Sequence, residues 1–600
     1  MCGITGYVGT EDGIPIVQET LRNLEYRGYD SAGVAVNDGD VAVYKQAGQV
    51  EDLTVPATSA ASCAIGHTRW STHGEPTDDN AHPHTDCSGR IAVVHNGIID
   101  NYDDLRAELS DRHTFTSDTD TEVVPHLLEE ELTPDATLQE AFERVLERLE
   151  GSYALAATAR GHEGIVGARQ DSPLVVGHAD GGHFLASDVP AFVEYTRDVT
   201  YLEDGDVVHL TDDDVSVFSD GRPVQRDRRT VEWDAQAAEK GGYDHYMLKE
   251  IHEQPQALRQ ALSGRIDELG GDVELDLSLP PEFVESVEEI QIVACGTSYH
   301  ASLYAKELLE RYADVRVTTS IASEYEFSGG RDPWSTLVVA VTQSGETADT
   351  LGALRRANAA GARTLAVTNT VGSTVTRETD ETVYIRAGPE IGVAATKTFA
   401  SQVVTLTLLS VWFGRRRGSL DSETAAEVLS GLQRVPGAVQ QVLDQDARVR
   451  DVAREYADEE AFFFVGRDLG RPVALEGALK LKEISYDHAE GFAAGELKHG
   501  PLALVTPETA VIAVLTDGGA PEKTLKAVKE VDSRGASVLG VSSADDAEKY
   551  LDTMLSVPEV GVAEPVVANV YLQLFAYHVA DLKDRAIDKP RNLAKSVTVE

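Results

Sequence analysis

Hydrophobic and polar residues follow two different patterns along this chain. Over about the first 215 residues, short apolar runs such as GVAVNDG, IAVVHNG and SYALAATA are bounded by turn residues, which predicts short strands. Amphipathic stretches interrupt these runs and predict helices at Ile14–Leu24, Tyr102–Leu109 and Leu138–Leu149. This first part is therefore expected to form an α+β domain.

From about residue 285, an apolar strand, a loop and a helix follow one another repeatedly. IQIVACGTSYH leads into ASLYAKELLERY, and AFFFVGRDLGR later leads into PVALEGALKLKEISY. Strands that alternate with helices predict parallel, doubly wound α/β sheets, and the recurrence predicts two duplicated lobes. The expected order is an α+β domain at 1–215, a linker at 216–245, α/β domains at 246–430 and 450–590, and a tail at 591–600.

The composition adds a strong acidic bias. Asp and Glu number 101 against 52 Lys and Arg, which gives a net charge of −49. A negative field of this size opposes nucleic-acid binding, so no nucleic-acid partner is expected. The acidic residues are spread along the chain, which favours a protein adapted to a salt-rich cytoplasm, although solubility alone is the simpler alternative.

Neither a secretory signal nor a membrane segment is expected. The first residues, MCGITGYVGT, have no basic region, and no apolar run reaches the roughly 18 residues of a membrane helix. Four cysteines without paired or zinc-like spacing indicate a reducing cytoplasm and no metal site. Cys63 and Cys87 are interpreted as structural or buried. His82 and His84 in NAHPH lack a third ligand at a suitable spacing.

Cys2 follows the initiator methionine directly. Removal of Met1 leaves Cys2 with a thiol and a free α-amine, whose reference pKa of about 7.7–8.0 suits a general base. By itself, a cysteine at position 2 is more often accidental. Here it belongs to an ordered series of motifs, MCGITGYVG, LEYRGYDSAG, GHTRWSTHGEP, NAHPH, VHNGIIDN and SDTDTEV. The series resembles the N-terminal-nucleophile amidotransferase family, which implies an αββα (Ntn-hydrolase) fold and the release of ammonia from glutamine.

The resemblance assigns roles around the Cys2 nucleophile. Arg69 is expected to bind the α-carboxylate of glutamine, and Asp120 its α-ammonium. Asn96 and Gly97 are expected to donate to the oxyanion of the tetrahedral intermediate. Further positions expected to line or order the pocket are Trp70, Thr72, His73 and His82, of which Trp70 resembles the residue that gates ammonia passage. The acidic neighbours expected at the surface are Asp118 and Glu122.

Two hydroxyl-rich loops, CGTS and TQSGET, follow strands of the first α/β lobe and open helices. Free N–H groups and the helix dipole at such a helix start favour an anion, so one phosphate site is expected in this lobe. The loops resemble the sugar isomerase (SIS) domain family, which binds phosphosugars. The expected phosphosugar-binding residues are Cys295, Gly296, Thr297, Ser298, Thr342, Gln343, Ser344 and Thr347.

The second α/β lobe contributes ionisable groups. In VALEGALKLKEISY, Glu476, Lys480 and Glu483 lie at i, i+4 and i+7 and so share one helix face. An exposed stripe of salt bridges commonly has this spacing. The rest of the helix is apolar, however, and GELKHGP with His499 follows, which favours a catalytic face.

Long motifs extend the resemblance over the whole chain. LEGALKLKEISYDHAE, GELKHGP, EIGVAATKTFASQ and PRNLAKSVTVE closely resemble the glutamine:fructose-6-phosphate amidotransferase family. The resemblance implies that fructose 6-phosphate is aminated and isomerised to glucosamine 6-phosphate with release of glutamate, the first step of hexosamine synthesis. It implies glutamine and fructose 6-phosphate as binding partners, a homodimer, and no cofactor.

The same resemblance gives the ionisable groups of the second half their roles. His499, supplied by the neighbouring subunit, opens the sugar ring. Lys595 forms a Schiff base with the C2 carbonyl, and Glu483 carries the proton between C1 and C2. The positions expected to support the base or to contact the sugar through the backbone are Lys480, Glu476, Val393 and Ala594.

Three alternatives were weighed against this interpretation. A different ammonia acceptor requires a pyrophosphate-binding or ATP-pyrophosphatase motif after residue 245, and the sequence has neither. A phosphosugar-binding regulator without catalysis predicts loss of Cys2, Glu483, His499 or Lys595, yet all four are present. A deglycase of the sugar isomerase family has no need of Cys2.

Overall fold

The chain divides into two compact units. The computed structural model describes residues 2–28, 30–56, 61–69, 75–231, 240, 242–267, 270–327 and 332–598. The first unit comprises residues 1–239 together with 594–600, and the second comprises 240–593. The tail that carries Lys595 therefore groups with the first unit.

Two antiparallel sheets form the centre of the first unit. Its strands are β1 (Gly3–Gly9), β2 (Ser31–Asn37), β3 (Val41–Ala47), β4 (Cys63–Arg69), β5 (His84–Thr85), β6 (Ile91–Ile99), β7 (Gly151–Ala159), β8 (Ile165–Gln170), β9 (Val175–Ala179), β10 (Gly182–Ala186), β11 (Asp198–Tyr201), β12 (Asp206–Leu210), β13 (Val215–Ser219), β14 (Arg222–Val224) and β15 (Arg228–Thr230). One sheet has the order β15-β11-β9-β10-β1-β4-β2-β3, and the other has the order β14-β13-β12-β8-β7-β6-β5.

Side chains along each strand point alternately to the two faces of its sheet, and this explains how the sheets stack. In β6, Ile91 and Val93 point into a core shared with helices, whereas Ala92 and Val94 point into a core shared with the other sheet. The helices of this unit are α1 (Gly13–Leu24), α2 (Tyr102–Leu109), α3 (Val123–Glu131) and α4 (Leu138–Leu146). α1 packs on β1 and β4, and α2 to α4 cover the second sheet. The layers are therefore α, β, β and α, as the resemblance implies.

The structure differs from the sequence prediction in two places. The expected linker begins inside β13, and β14 and β15 also lie within it, so the sheets extend to Thr230. These edge strands expose most of their residues and lack the apolar alternation by which buried strands are recognised. Helix α3 was not predicted either.

Two parallel sheets and a small antiparallel pair, β16 (Ile266–Asp267) with β17 (Asp272–Val273), form the strands of the second unit. The strands of the parallel sheets are β18 (Glu289–Ala294), β19 (Arg316–Ile321), β20 (Thr336–Thr342), β21 (Arg363–Thr368), β22 (Glu381–Tyr384), β23 (Ala461–Gly466), β24 (Ala489–Ala493), β25 (Thr509–Leu515), β26 (Ser537–Ser542) and β27 (Thr553–Ser556). Its helices are α5 (Tyr246–Leu262), α6 (Pro281–Ser286), α7 (Gly296–Ala313), α8 (Ala348–Ala360), α9 (Thr374–Glu378), α10 (Lys397–Arg417), α11 (Ser422–Leu443), α12 (Asp446–Tyr456), α13 (Gly470–Ser485), α14 (Pro521–Asp532) and α15 (Glu564–Leu582).

The two main sheets of this unit have the same topology. Their orders are β19-β18-β20-β21-β22 and β24-β23-β25-β26-β27, and every pairing in them is parallel. The chain leaves β18 for β19 on one side and then returns to β20 on the other. Such a reversal opens a crevice at the carboxyl ends of the strands, where α/β proteins bind ligands. The CGTS and TQSGET loops lie at this edge.

Helix α10 contains the longest apolar run of the sequence and is buried from Lys397 to Gly414. Its core neighbours include residues of both lobes. Among the described residues, no helix is both long enough and apolar enough to cross a membrane.

Candidate active sites

Cys2 lies at the start of the central strand of the first sheet. β1 begins at Gly3, which pairs with Thr68 of β4, so Cys2 adjoins Arg69 at the end of that strand. Burial lowers the pKa of Arg69, while the nearby Cys2 and Asp120 groups oppose that shift. The Arg69 guanidinium thus lies near both the Cys2 thiol and the Asp120 carboxylate. A guanidinium and a carboxylate are the two charges that recognise the α-carboxylate and the α-ammonium of an amino acid.

The middle of β6 brings hydrogen-bond donors to the nucleophile. Asn96 Nδ2 donates to the carbonyl oxygen of Cys2 at 2.9 Å. A side-chain amide has two N–H groups, so one remains for a reacting group. Gly97 has φ +127°, and a Cβ there would lie 2.0 Å from the Ser152 carbonyl oxygen. Only glycine therefore allows the backbone to turn at this point.

His67 orients the Asn96 amide, a role that the sequence analysis missed. Its Nε2 lies 2.8 Å from the His95 carbonyl oxygen and 3.1 Å from Asn96 Oδ1. Both atoms are acceptors, so this nitrogen carries the proton. Burial lowers the pKa of His67 to about 3, which keeps the ring neutral near pH 7. The predicted His82 supports it, with its Nδ1 3.2 Å from the same nitrogen.

Asp120 is buried at the start of a short 3-10 helix, Asp120–Glu122. Its Oδ2 accepts from the Ile99 N–H at 2.9 Å. Asp118 is exposed as predicted, but Glu122 is buried, which corrects the expectation of a surface position. Burial alone would raise the pKa of Glu122, yet hydrogen bonds from the 116–117 segment and His126 hold it well below its usual value. Glu122 thus fixes the segment that presents Asp120.

Three predicted glutamine-pocket positions, Trp70, Thr72 and His73, lie outside the described residues.

In the second unit, the two predicted loops lie at neighbouring helix starts. α7 begins at Gly296 directly after β18, with Cys295 as its N-cap, and α8 begins after Thr347. Thr342 Oγ1 accepts from the Gly345 N–H at 3.2 Å and shapes the second loop. Because β18 and β20 are adjacent parallel strands, both helix dipoles point their positive ends to one edge.

Some of the predicted phosphosugar-binding residues already use their polar groups in hydrogen bonds within the protein. Ser298 is buried, and its Oγ accepts from Gln402 Nε2 at 2.9 Å. The Val393 N–H donates to the Asp588 carbonyl oxygen at 3.2 Å. Burial raises the pKa of the Cys295 thiol. Gln343 and Ser344 are half-buried in the second loop.

Thr297 connects the first loop to the ionisable face of α13. Its hydroxyl donates to Glu476 Oε1 at 2.9 Å and accepts from Lys480 Nζ at 3.2 Å. Lys480 Nζ also lies 3.4 Å from Glu476 Oε1 and 2.5 Å from Glu483 Oε2. The three ionisable residues form one connected cluster with a residue of the other lobe.

This cluster is internal and not an exposed stripe of salt bridges. The side chains of Glu476 and Lys480 are 0% and 1% exposed, and that of Glu483 is 19% exposed. Burial alone would raise the pKa of Glu476, but Lys480 and His300 hold it below its usual value. Burial alone would lower the pKa of Lys480, but Glu483 and Glu476 hold it above its usual value. The charged forms of both are therefore favoured near pH 7.

His300 is a second residue that the sequence analysis missed. It lies on α7, and its Nδ1 is 2.7 Å from Glu476 Oε2. Its partner is 176 positions away in the chain, so only the packing of the two lobes brings them together.

The remaining predicted residues have different surroundings. His499 is exposed at the end of a 3-10 helix, Glu496–His499. Ala594 and Lys595 are half-buried in the tail that groups with the first unit.

Comparison with known families agrees with this division of the chain. The glutamine amidotransferase domain family matches residues 67–194. The SIS domain family matches residues 284–411 and again 455–582, one match for each parallel sheet.

Similar proteins extend the agreement to full length. A glutamine–fructose-6-phosphate aminotransferase (isomerizing) of Halobacterium salinarum is 63% identical over 601 residues and covers 100% of both chains. A protein of the same name from Thermus thermophilus is 49% identical over 612 residues, again over 100% of both chains. The solved C-terminal domain of a glucosamine-fructose-6-phosphate aminotransferase from Francisella tularensis is 37% identical with a TM-score of 0.55. That match covers 59% of this chain and 99% of the solved domain.

Proposed function

This chain belongs to the glutamine–fructose-6-phosphate aminotransferase (isomerizing) family, and from that membership we propose how its residues share the reaction. The overall reaction converts glutamine and fructose 6-phosphate to glutamate and glucosamine 6-phosphate. Hydrolysis of glutamine consumes one water and gives ammonia. Amination of the ketose returns that water, so the two half-reactions balance.

The observation that carries the proposal is the buried Glu476–Lys480–Glu483 cluster beside the phosphate loops. The C2 imine of a ketose becomes an aldose amine when a base moves one proton from C1 to C2. Glu483 is the most exposed member of the cluster, and Lys480 lies 2.5 Å from it. We assign Glu483 as that base and Lys480 and Glu476 as the residues that position it.

Glutamine hydrolysis is assigned to the first unit. The Cys2 thiol gives its proton to its own α-amine, and the resulting thiolate attacks the carboxamide carbon. Asn96 Nδ2 and the Gly97 N–H stabilise the oxyanion, and Arg69 and Asp120 hold the amino-acid end. Collapse of the intermediate expels ammonia, and water then releases glutamate from the thioester.

Amination is assigned to the second unit together with the tail. The phosphate binds at the starts of α7 and α8, where the predicted loops place hydroxyls and backbone N–H groups. His499 transfers the proton that opens the ring, and Lys595 condenses with the C2 carbonyl and releases water. Ammonia displaces Lys595, and Glu483 then moves the proton from C1 to C2.

We further propose a homodimer in the cytoplasm. The exposure of His499 supports the homodimer, because a histidine at the surface of one subunit is accessible to the sugar site of another. The cytoplasmic location is supported by the substrate, a doubly charged sugar phosphate that does not cross membranes unaided. Sedimentation in high salt tests the dimer.

Single-turnover product analysis with glutamine and fructose 6-phosphate in molar salt tests the assignment. Cys2→Ala should lose glutamine-driven synthesis but still convert fructose 6-phosphate to glucose 6-phosphate. Lys595→Arg should release glutamate yet make no glucosamine 6-phosphate. Lys589→Arg serves as the control for lysine replacement near the C-terminus and should keep both activities.

The acceptor assignment fails if the wild type releases glutamate but never aminates fructose 6-phosphate. The nucleophile assignment fails if Cys2→Ala still makes product from glutamine.

A further inference from the structure

A cluster of metal-binding side chains lies in the first unit, apart from Cys2. Cys87 is in the turn between β5 and β6, His113 follows α2, and His126 and Glu129 lie on α3. One ligand atom from each residue lies within 4.8 Å of the other three. We propose that these four side chains bind one Zn²⁺ ion.

The distances within the cluster suit tetrahedral coordination. Cys87 Sγ lies 3.6 Å from His113 Nδ1 and 3.7 Å from His126 Nδ1. With Zn–S of about 2.3 Å and Zn–N of about 2.0 Å, a tetrahedral ion holds sulfur and nitrogen about 3.6 Å apart. Glu129 Oε2 lies 3.2 Å from His113 Nδ1. Ligand atoms as far apart as 4.8 Å need to close by about 1.2–1.5 Å to reach such a geometry.

The other nitrogen of each histidine faces a carboxylate. His113 Nε2 lies 3.1 Å from Glu130 Oε1, and His126 Nε2 lies 3.9 Å from Glu122 Oε1. Glu130 is at hydrogen-bond distance, so it holds the His113 proton on Nε2 and leaves the Nδ1 lone pair toward the cluster, and Glu122 lies on the Nε2 side of His126. This is the usual outer shell of a histidine that binds zinc.

The sulfur atom also accepts a hydrogen bond from the backbone. The Thr114 N–H donates to Cys87 Sγ at 3.4 Å. Cys87 is expected to be structural or buried; it is exposed, which excludes burial and lets an ion enter from solvent. One thiolate, two imidazoles and one carboxylate form a donor set that suits Zn²⁺ better than Mg²⁺ or Ca²⁺.

No metal site is expected from the sequence, because the ligands are scattered along the chain. Cys87 and His113 are 26 positions apart, and Cys87 and His126 are 39 apart. The packing of α3 against β6 joins them. His113 and His126 lie on either side of Asp120, so the ion would fasten both ends of the segment that presents this carboxylate. We assign the ion a structural role for that reason.

Cobalt substitution of the metal-free full-length protein tests the site. Co²⁺ bound by four ligands gives intense visible bands, and a cysteine ligand adds a near-ultraviolet charge-transfer band. Titration in molar KCl suppresses weak binding to the acidic surface. We expect one Co²⁺ per chain with both signatures, displaced by one equivalent of Zn²⁺.

Variants separate this site from other ligands. Cys87→Ser should abolish the charge-transfer band and weaken Zn²⁺ binding at least about 100-fold, and Glu130→Gln should weaken it about 10-fold. Cys2→Ala and Glu131→Gln are the matched controls and should keep the wild-type spectrum, since Glu131 pairs with Arg144.

The proposal is overturned if wild-type protein gives only the weak bands of six-coordinate Co²⁺, or if the charge-transfer band survives in Cys87→Ser. Loss of the band in Cys2→Ala instead of Cys87→Ser would also refute it, because the thiol ligand would then be the nucleophile.

Discussion

Replacing Lys480 with methionine removes the cation that two carboxylates share. Its Nζ lies 2.5 Å from Glu483 Oε2 and 3.4 Å from Glu476 Oε1, and its side chain is 1% exposed. Methionine is similar in length but leaves both carboxylates without this cation where little water can enter. Removal of one partner from a buried ion pair costs about 3–5 kcal/mol, so we expect the second unit to lose stability of that order.

The catalytic effect should be confined to one half-reaction. General base catalysis contributes about 10²–10⁴-fold, and Lys480 positions the proposed base. Conversion of fructose 6-phosphate to glucose 6-phosphate without glutamine should therefore slow at least about 100-fold, while glutamine hydrolysis keeps its rate. A coupled dehydrogenase assay follows the first reaction, and glutamate release follows the second.

Lys482→Met is the matched control, because Lys482 is exposed on the same helix. It should behave as the wild type. The reasoning is refuted if folded Lys480→Met protein isomerises at the wild-type rate, or if Lys482→Met loses as much activity.

The remaining predictions concern the first unit and the charge. Asn96→Ala should lower kcat for glutamine hydrolysis about 10²–10³-fold, because one oxyanion donor is lost. Gly97→Ala should abolish glutaminase activity but spare isomerisation, since its methyl would lie 2.0 Å from a carbonyl oxygen. The folded-state pKa of His67, about 3, lies below its ordinary 6.5, so its contribution to stability is complete above pH 6.5 and is lost as the pH falls toward 3. In urea unfolding, His67→Gln should lower the acid slope of the unfolding free energy by about 1.4 kcal/mol per pH unit, the share of one proton. Raising KCl from about 0.1 M to about 2 M should raise Tm, because salt screens the net charge of −49.

Each of these predictions has a control and a contradicting result. Asn101→Ala removes an amide that donates to the Arg148 carbonyl oxygen and should keep glutaminase activity, and equal losses in both variants contradict the donor role. An active Gly97→Ala enzyme contradicts the backbone argument. An unchanged acid slope in His67→Gln contradicts the buried neutral histidine, with His209→Gln as the control for loss of an imidazole. A Tm that does not respond to KCl contradicts self-repulsion.

Site residues that lie close together along the chain could be predicted from the sequence. Glu476, Lys480 and Glu483 share one helical face by periodicity alone, and the structure confirms that they cluster. Cys2 and Arg69 were associated through motifs, and the register of β1 with β4 supplies the physical reason. The alternation of strands and helices likewise predicted the two parallel sheets.

Residues whose partners come from distant elements could not be predicted in this way. His300 meets Glu476 across 176 positions, and His67 meets Asn96 from a strand of the other sheet. The sequence around each histidine looks like that of any other residue in a helix or strand. The exposed edge strands β14 and β15 were missed because polar strands resemble linkers in sequence.

Transfer of the glutamine amide nitrogen tests the central claim most directly. The enzyme is supplied with glutamine labelled with ¹⁵N in the amide, fructose 6-phosphate, and an excess of unlabelled ammonium, and the glucosamine 6-phosphate is analysed by mass spectrometry. The account predicts that wild-type product carries ¹⁵N and that Cys2→Ala makes no ¹⁵N-labelled product. Label that appears only as free ammonium, with no labelled amino sugar, would contradict the claim that one chain both releases the nitrogen and places it on the sugar.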